Sequence, residues 1–309
     1  MRQIVIVVIK KIIQSLFVFL IAALITFYAM NWIPGGPFNR EKAVNKEVVV
    51  QLQEKYQLDM PIYKQFINYM KRLVIEGDLG PSLKFRGRDV GTVILEKFPI
   101  SFTIGIIALS FAVVFGILLG FILDYIKKKK NGLIDLILYV LITIPSFVYG
   151  IVYIVVCGTF GFNVIFENNL RNIIIASCII SIYPICYIAQ LVKIQIEQSK
   201  NRLFFRALVL KGYTTRRIYV KHLLKNAMIP VVSYMGPLSA IILTGSGVIE
   251  QLLNIPGLGK FFYESIAARD YTMIMGTTLF YCLIIVIANL IAELFLIYLN
   301  PALLHNNEN

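Results

Sequence analysis

Apolar residues in this chain fall in continuous blocks of roughly 20 residues, the length that crosses about 30 Å of hydrocarbon as a helix. In that solvent the backbone must satisfy its own hydrogen bonds, so only helices or closed barrels span it. The blocks are unbroken rather than alternating, which selects helices over barrel strands. Six are legible, near 12–31, 100–123, 133–157, 172–191, 227–249 and 272–299. The predicted fold is an all-α membrane protein of six transmembrane helices, with a kink at Pro145 in the third.

Between the first two blocks lies the one long polar stretch, 34–99, with eleven basic and eight acidic residues. Within it Pro61 stands where a first helical turn tolerates proline. Ile62, Phe66, Met70 and Leu73/Val74 follow at helical spacing, and Gly77, Gly80 and Pro81 end the pattern. This is a small folded outer lobe whose charges read as a solvated face. The implied organisation is an amino terminus and first helix (1–33), the outer lobe (34–99), a five-helix core (100–300) that includes a basic loop at 193–225, and a tail (301–309).

Composition sharpens the membrane reading. The chain is 58% hydrophobic and 15% charged, with mean hydropathy +0.75, whereas a soluble domain is nearer one-quarter charged. The net charge of +13 reads as membrane orientation, not nucleic-acid binding, because no aromatic and basic groove appears outside the blocks. Arg2, Lys10 and Lys11 precede the first block, which is too long for a signal peptide and lacks a small-residue cleavage pattern. The short segments assigned to the cytoplasm hold 3, 4 and 9 Lys/Arg, and 11 of the 14 on the other face belong to the long lobe, where the orientation rule counts them weakly. Both termini are therefore expected in the cytoplasm. Cys157, Cys178, Cys186 and Cys282 all lie in apolar runs and read as small buried hydrophobes.

The stretch 204–230 carries six Lys/Arg and no Asp or Glu between two apolar blocks. Gly212 divides it. Before the glycine, Leu203, Phe204, Ala207, Leu208 and Leu210 supply an apolar helical face. Gly212 can take the left-handed conformation that ends a helix, and Thr214 or Thr215 can cap the next. Arg217, Lys221 and Lys225 then recur every four residues along one face. Attraction to anionic lipid contributes about 1 kcal/mol per basic residue. Lipid anchoring, however, needs no glycine-punctuated helix pair with an apolar face. A docking surface does.

The segments "RALVLKG", "RRIYVKHLLKNAMIP" and "VVSYMGPLSAIILTGSGVIEQLLNIPGLG" resemble the permease subunits of ABC importers. "WIPGGPF", "EKYQLDMPI" and "GDLGPSLKF" extend the likeness to the oligopeptide-permease B-type subunit of the dipeptide/oligopeptide/nickel family. The resemblance covers essentially the whole chain. It implies a type I ABC importer-like fold paired with a second homologous permease subunit, two cytoplasmic ATPase subunits that hold ATP and Mg²⁺, and an extracellular peptide-binding protein. No cofactor is expected in this chain. The resemblance makes the basic loop a coupling helix seated in an ATPase cleft, carried here by Arg206, Ala207, Lys211, Gly212, Arg216 and Arg217. The family's Ala-Arg-Ala before Lys-Gly is Leu208, Val209 and Leu210 here, which makes the docking face more apolar. The "PGLG" turn, Pro256, Gly257 and Gly259, is expected to meet the binding protein.

The fifth block is rich in small residues. Gly236, Pro237, Thr244, Gly245 and Gly247 either pack closely against a partner helix or line a passage; the resemblance favours the passage, and both readings hold at a subunit interface. No G-x-x-x-x-G-K-[ST] occurs, so "GLGK" at 257–260 is no phosphate loop. His222 and His305 read as surface residues. Glu293 lies within snorkelling distance of the inner membrane face, and Asp124, Asp135 and Glu250 fall at block ends without forming a proton relay. The expected function is peptide import across a bacterial plasma membrane. The alternatives are a nickel or metal-chelate permease of the same family, an ion-gradient carrier, and a membrane enzyme.

Overall fold

The computed structural model describes residues 2–32, 60–85, 87–126, 132–161 and 170–299, with the backbone alone at 2–8, 10, 241, 244 and 245. The helices are α1 (Arg2–Trp32), α2 (Ile62–Glu76), α3 (Val90–Ile126), α4 (Gly132–Thr143), α5 (Ser146–Thr159), α6 (Leu170–Lys200), α7 (Leu203–Leu210) and α8 (Thr215–Ile218). A π-helical turn (Tyr219–Leu223), α9 (Leu224–Leu252), α10 (Leu258–Ala268) and α11 (Tyr271–Leu299) complete the bundle. Residues 33–59, with "WIPGGPF" beyond its Trp32 and most of "EKYQLDMPI", the tetralysine loop 127–130, His305 and the tail 301–309 lie outside the described residues.

Four helices are long and apolar enough to cross a membrane: α1 from Lys11, α3 to Tyr125, α6 and α11. The bent pair α4–α5 makes a fifth if counted as one span. α9, where the fifth span was expected, runs 29 residues with Pro230 and Pro237 inside it and is not in that set. The described chain thus presents four or five apolar spans where the pattern predicts six.

Several boundaries move. α3 starts at Val90 and carries Pro99 within it, so the end of the expected lobe is helix. α6 continues to Lys200, past the predicted end near 191, because Val192 and Ile196 still face the core and are fully buried. Pro145 does more than kink its span: it is extended (φ −60°, ψ 144°) and separates α4 from α5 at a bend of 95°. A residue lacking an N–H and clashing with the preceding turn breaks a helix there.

The centre of the bundle is the α3–α6 pair. Gly116 and Gly120 stand one turn apart on α3, and a Cβ added to them would sit 2.8 Å from Ile188 and 2.7 Å from Val192 of α6. Only glycine lets the two backbones come this close. Ile104, Ala108 and Ala112 of α3 join Ile188, Val192 and Ile196 in the fully buried core. α1 is peripheral. It packs Ala23, Phe27 and Met30 with Ile274, Met275 and Leu279 of α11 and leaves Ile13, Leu16, Phe17, Val18 and Ile25 exposed. α2 has the predicted amphipathic stripe, with Tyr69 buried and Phe66, Met70 and Leu73 packed beside it; Val74 points outward. It ends as expected at left-handed Gly77 (φ 65°). Of the cysteines only Cys186 is buried, Cys157 and Cys282 are half-buried, and Cys178 is exposed, because an apolar run in a membrane helix has an outer face as well as a core face.

Candidate functional site

The basic insert forms a protrusion. α7 ends in a Schellman motif: Gly212 is left-handed (φ 75°), its N–H donates to the Val209 carbonyl at 3.0 Å, and the Tyr213 N–H donates to the Leu208 carbonyl at 3.3 Å. The chain restarts at Thr214, which occupies the N-cap position without a side-chain capping bond. α8, the π turn and α9 follow without a break, so the second helix of the insert and the fifth apolar block are one element. A π turn inserts an extra residue per turn and recurs at functional positions.

Arg206, Ala207, Lys211, Gly212, Arg216 and Arg217 are all exposed and lie together on this protrusion. Leu203, Val209 and Leu210 are exposed beside them, Leu210 at 87%. Arg217 stacks on the Tyr213 ring at 4.6 Å. Arg206, Lys211, Arg216, Lys221 and Lys225 make no ion pair among the described residues. An unpaired cationic surface carrying bare leucines suits a protein partner better than water. His222, expected at the surface, is half-buried with its ring edge toward Tyr213 at 6.2 Å.

The root of the protrusion is fixed. Ile218 and Leu223 are buried in the main core. Asp124, at the end of α3, accepts hydrogen bonds from Lys200 Nζ at 2.6–2.7 Å and from the Tyr219 hydroxyl at 2.7 Å. Lys200 Nζ also lies 5.2 Å from the centre of the Tyr219 ring. The ends of α3 and α6 are thereby joined to the π turn. Lys193 pairs with Asp135 and ties α4 to α6. Neither acid is a free span-end charge, as the linear pattern suggested; their partners are 58 to 95 residues away and no local spacing reveals them.

α9 uses its glycines for packing. Asn289 of α11 lies over Gly236, and a Cβ on Gly247 would meet the Gly259 carbonyl at 3.0 Å. Pro237 is exposed. Thr244 and Gly245 lie within α9, and their side chains fall outside the described residues. On the α6 side of α9, the Tyr234 ring packs tilted against Tyr187 with centres 4.5 Å apart, and Tyr187 stacks against Tyr183 at 6.0 Å. All three tyrosines are half-buried, and the Tyr234 and Tyr183 hydroxyls lie 3.5 Å apart. The spacing Tyr183–Tyr187, one helical turn, was the available signal.

The "PGLG" turn is built around Glu250. This carboxyl is fully buried and accepts the Lys260 N–H at 3.0 Å, while Ser101 Oγ accepts the Gly259 N–H at 3.4 Å. An acid at the amino end of α10 satisfies donors that the helix cannot. Gly257 and Gly259 are buried by these groups, and Pro256 is half-exposed. Asp270 performs a similar task at α11. It accepts from the Met273 N–H at 3.1 Å as an N-cap, from the Leu83 and Lys84 N–H groups at 3.1 and 3.3 Å, and from Ser82 Oγ. It thus holds the "GPSLK" segment against the bundle. Asp270 before an apolar run is a readable cap signal; its grip on residues 187 positions away is not. Among the described residues no three His, Cys, Asp or Glu side chains are placed to share a metal ion.

Residues 112–305 match the family of binding-protein-dependent transport system inner membrane components. The chain is 36% identical to the dipeptide transport system permease protein DppB of Bacillus subtilis (strain 168), over 91% of this chain and 92% of that one. It is 31% identical to the oligopeptide transport system permease protein OppB of Escherichia coli (strain K12), over 88% and 90%. It is 29% identical to the OppB protein of Haemophilus influenzae, over 94% and 97%.

Proposed function

The chain belongs to the family of binding-protein-dependent transport system inner membrane components, and from that premise we propose that it is the membrane permease subunit of an ATP-driven importer of short peptides. It pairs with a second homologous permease subunit, so that the passage runs between the two. Two cytoplasmic ATPase subunits, holding ATP and Mg²⁺, dock on the protrusion of α7, Gly212 and α8. An extracellular peptide-binding protein delivers the substrate to the segment held by Asp270 and to the turn at Pro256. α9 completes the six spans, with both termini on the side of the protrusion.

One observation carries this reading. The exposed cations and leucines of 203–217 stand outside the bundle, yet Asp124, Lys200 and Tyr219 fix their root to the ends of α3 and α6. A surface meant only to lie on lipid gains nothing from a rigid root; a surface that must transmit a partner's movement requires one. In the cycle this implies, closure of the ATPases moves the protrusion as a unit and reorients α4 to α9, opening the passage outward; hydrolysis restores the inward state. Such a transition needs a discrete two-state element, and the proline break at 145 supplies a hinge. Within the passage, Tyr183, Tyr187 and Tyr234 offer hydroxyls and ring faces that accept varied peptides. Gly236 and Gly247 set the helix spacing around it, and Pro237, Thr244 and Gly245 fall on its wall.

The test is made in the assembled complex. Gly212→Val forces a β-branched residue to positive φ and disrupts the end of α7, and Arg206→Glu reverses a docking charge. Both are expected to abolish peptide uptake and to uncouple or release the ATPases while the permease pair stays intact. Uptake driven by ATP at the wild-type rate in both variants would refute the reading.

A further inference from the structure

A cleft of about 550 Å³ lies between α2, the last turns of α1 and the first turn of α11. Met273, at the start of α11, packs with Val90 at the start of α3, and α3 meets the protrusion at its other end through Asp124. The cleft is therefore on the face opposite the protrusion. α2 has 15 residues and is not among the helices apolar enough to cross a membrane. Its Lys71, Arg72 and Glu76 line the cleft and are exposed, and three charges at one rim belong in water, not in hydrocarbon. The opposite wall is pinned: the Thr272 hydroxyl donates to the Pro81 carbonyl at 2.6 Å, and the Leu83 N–H donates to Asp270 at 3.1 Å.

Gln65, Tyr69, Arg72 and Glu76 recur at i, i+4, i+7 and i+11, which sets them on one face of α2, and all four line the cleft. Lys71, Arg72 and Glu76 make no ion pair among the described residues, although Arg72 and Glu76 have the spacing at which such pairs form. Tyr69, also lining the cleft, is only 5% exposed. Its hydroxyl has no hydrogen-bond partner among the described residues, and the charge of Arg72 acts on it. Phe27, Met30 and Met275 make the floor apolar. A purely anionic ligand would meet Glu76, and a purely cationic one Lys71 and Arg72. A ligand that carries both charges satisfies both groups, and its polar middle can satisfy the buried hydroxyl. Spacing narrows the choice. Arg72 and Glu76 are four residues apart, about 6 Å along the helix. The termini of an extended dipeptide lie at most about 7 Å apart, and those of a tetrapeptide about 14 Å. The cleft has the volume of a small-molecule site.

On the importer reading, which supplies the class of substrate, we propose that this cleft is a second substrate site, outside the passage, that holds a free dipeptide. The carboxylate lies on Arg72 and Lys71, the ammonium on Glu76, and the peptide group on the Tyr69 hydroxyl.

The experiment is equilibrium dialysis of labelled dialanine against the purified full chain, with N-acetyl-dialanine, dialanine amide and tetraalanine as competitors. Loss of one charge-assisted contact weakens binding about tenfold. That loss is expected for either blocked dipeptide, for tetraalanine, and for Arg72→Gln and Glu76→Gln, both exposed positions where substitution leaves the fold intact. Tyr69→Phe removes a neutral partner and is expected to weaken dialanine about fivefold. Equal binding of dialanine and its blocked forms would overturn the site. So would binding that survives Arg72→Gln and Glu76→Gln but is lost in Tyr234→Phe, which would assign the dipeptide to the passage. Uptake by the assembled complex is read separately. A wild-type complex that imports no peptide refutes the importer reading, whereas a complex that imports peptide while the chain binds charged and blocked forms alike overturns this site alone.

Discussion

Removing the ammonium at position 200 tests how the protrusion is held. Asp124 has only 3% of its side chain exposed and takes its charge compensation from Lys200, which is 30% exposed. Lys200→Met leaves a buried carboxylate with one remaining donor, the Tyr219 hydroxyl. Breaking a buried pair in this way costs about 3–5 kcal/mol; with Tyr219 still bonded, a value near the lower end, about 3 kcal/mol, is expected. Asp124→Asn removes the opposite partner. It leaves a lysine that can reach solvent and an amide oxygen that still accepts from Tyr219, so its expected cost is about 1 kcal/mol. The double variant should cost about the same as Asp124→Asn alone, which gives a coupling of about 3 kcal/mol. At about 2 °C per kcal/mol for a chain of this size, thermal unfolding in detergent should fall by about 6 °C for Lys200→Met and about 2 °C for the other two. Equal losses for the two single variants, with additivity in the double, would refute the claim that Asp124 is a buried charge neutralised by Lys200.

Three further outcomes follow from the packing. Gly120→Ala places a Cβ 2.7 Å from Val192 and 2.9 Å from the Ala189 carbonyl, whereas Gly158 has nothing within 4 Å; the first should cost about 1–3 kcal/mol and the folded yield, the second neither, as read by size-exclusion profiles and thermal unfolding. Asp270→Ala removes an N-cap and three anchors of 82–84, a loss of about 2–4 kcal/mol, and should make that segment a site of rapid limited proteolysis. Tyr69 has a buried hydroxyl with no hydrogen-bond partner among the described residues, and burial pushes its phenol well above the usual range; Tyr69→Phe should therefore be neutral or slightly stabilising in the same melts.

What a reader can take from the linear chain here is what short-range periodicity encodes. The apolar blocks gave α1, α3, α6 and α11, the stripe around Phe66 gave α2, and Gly77 and Gly212 stand at left-handed positions where helices end. The protrusion was legible because six cations without a counter-charge contradict the surrounding composition. What stayed hidden is long-range pairing. Asp124, Asp135 and Glu250 look alike in sequence, as acids at the ends of apolar blocks, and only folding assigns one to a lysine and tyrosine, one to a lysine, and one to a helix terminus. The glycines of α9 carry the same ambiguity. Small residues permit a passage or a close contact alike, and the choice depends on whether Asn289 or Gly259 happens to lie opposite.

The distribution of stiff and soft contacts argues for the route by which a force on the protrusion would travel. α3 and α6 meet at Gly116 and Gly120, whose backbones lie directly against Ile188 and Val192 and against the Ile185 and Ala189 carbonyls, a close-packed contact with little room to deform. The same two helices receive the root of the protrusion through Asp124 and Lys200. A push on α7 would therefore reach α3 and α6 together, as one body. α9 leaves that root through a π turn and two internal prolines, each of which removes or displaces main-chain hydrogen bonds. α5 touches α9 through side chains over Gly150, where a Cβ would lie 3.1 Å from Ile249 and 3.4 Å from Leu252. The compliant joints thus sit on either side of α9 and at Pro145, and the rigid joint sits at the core. A change of state that kept α3 and α6 fixed to each other while α9 and α5 turned against them would leave the close contact at Gly116 and Gly120 intact, and so is the motion this packing favours.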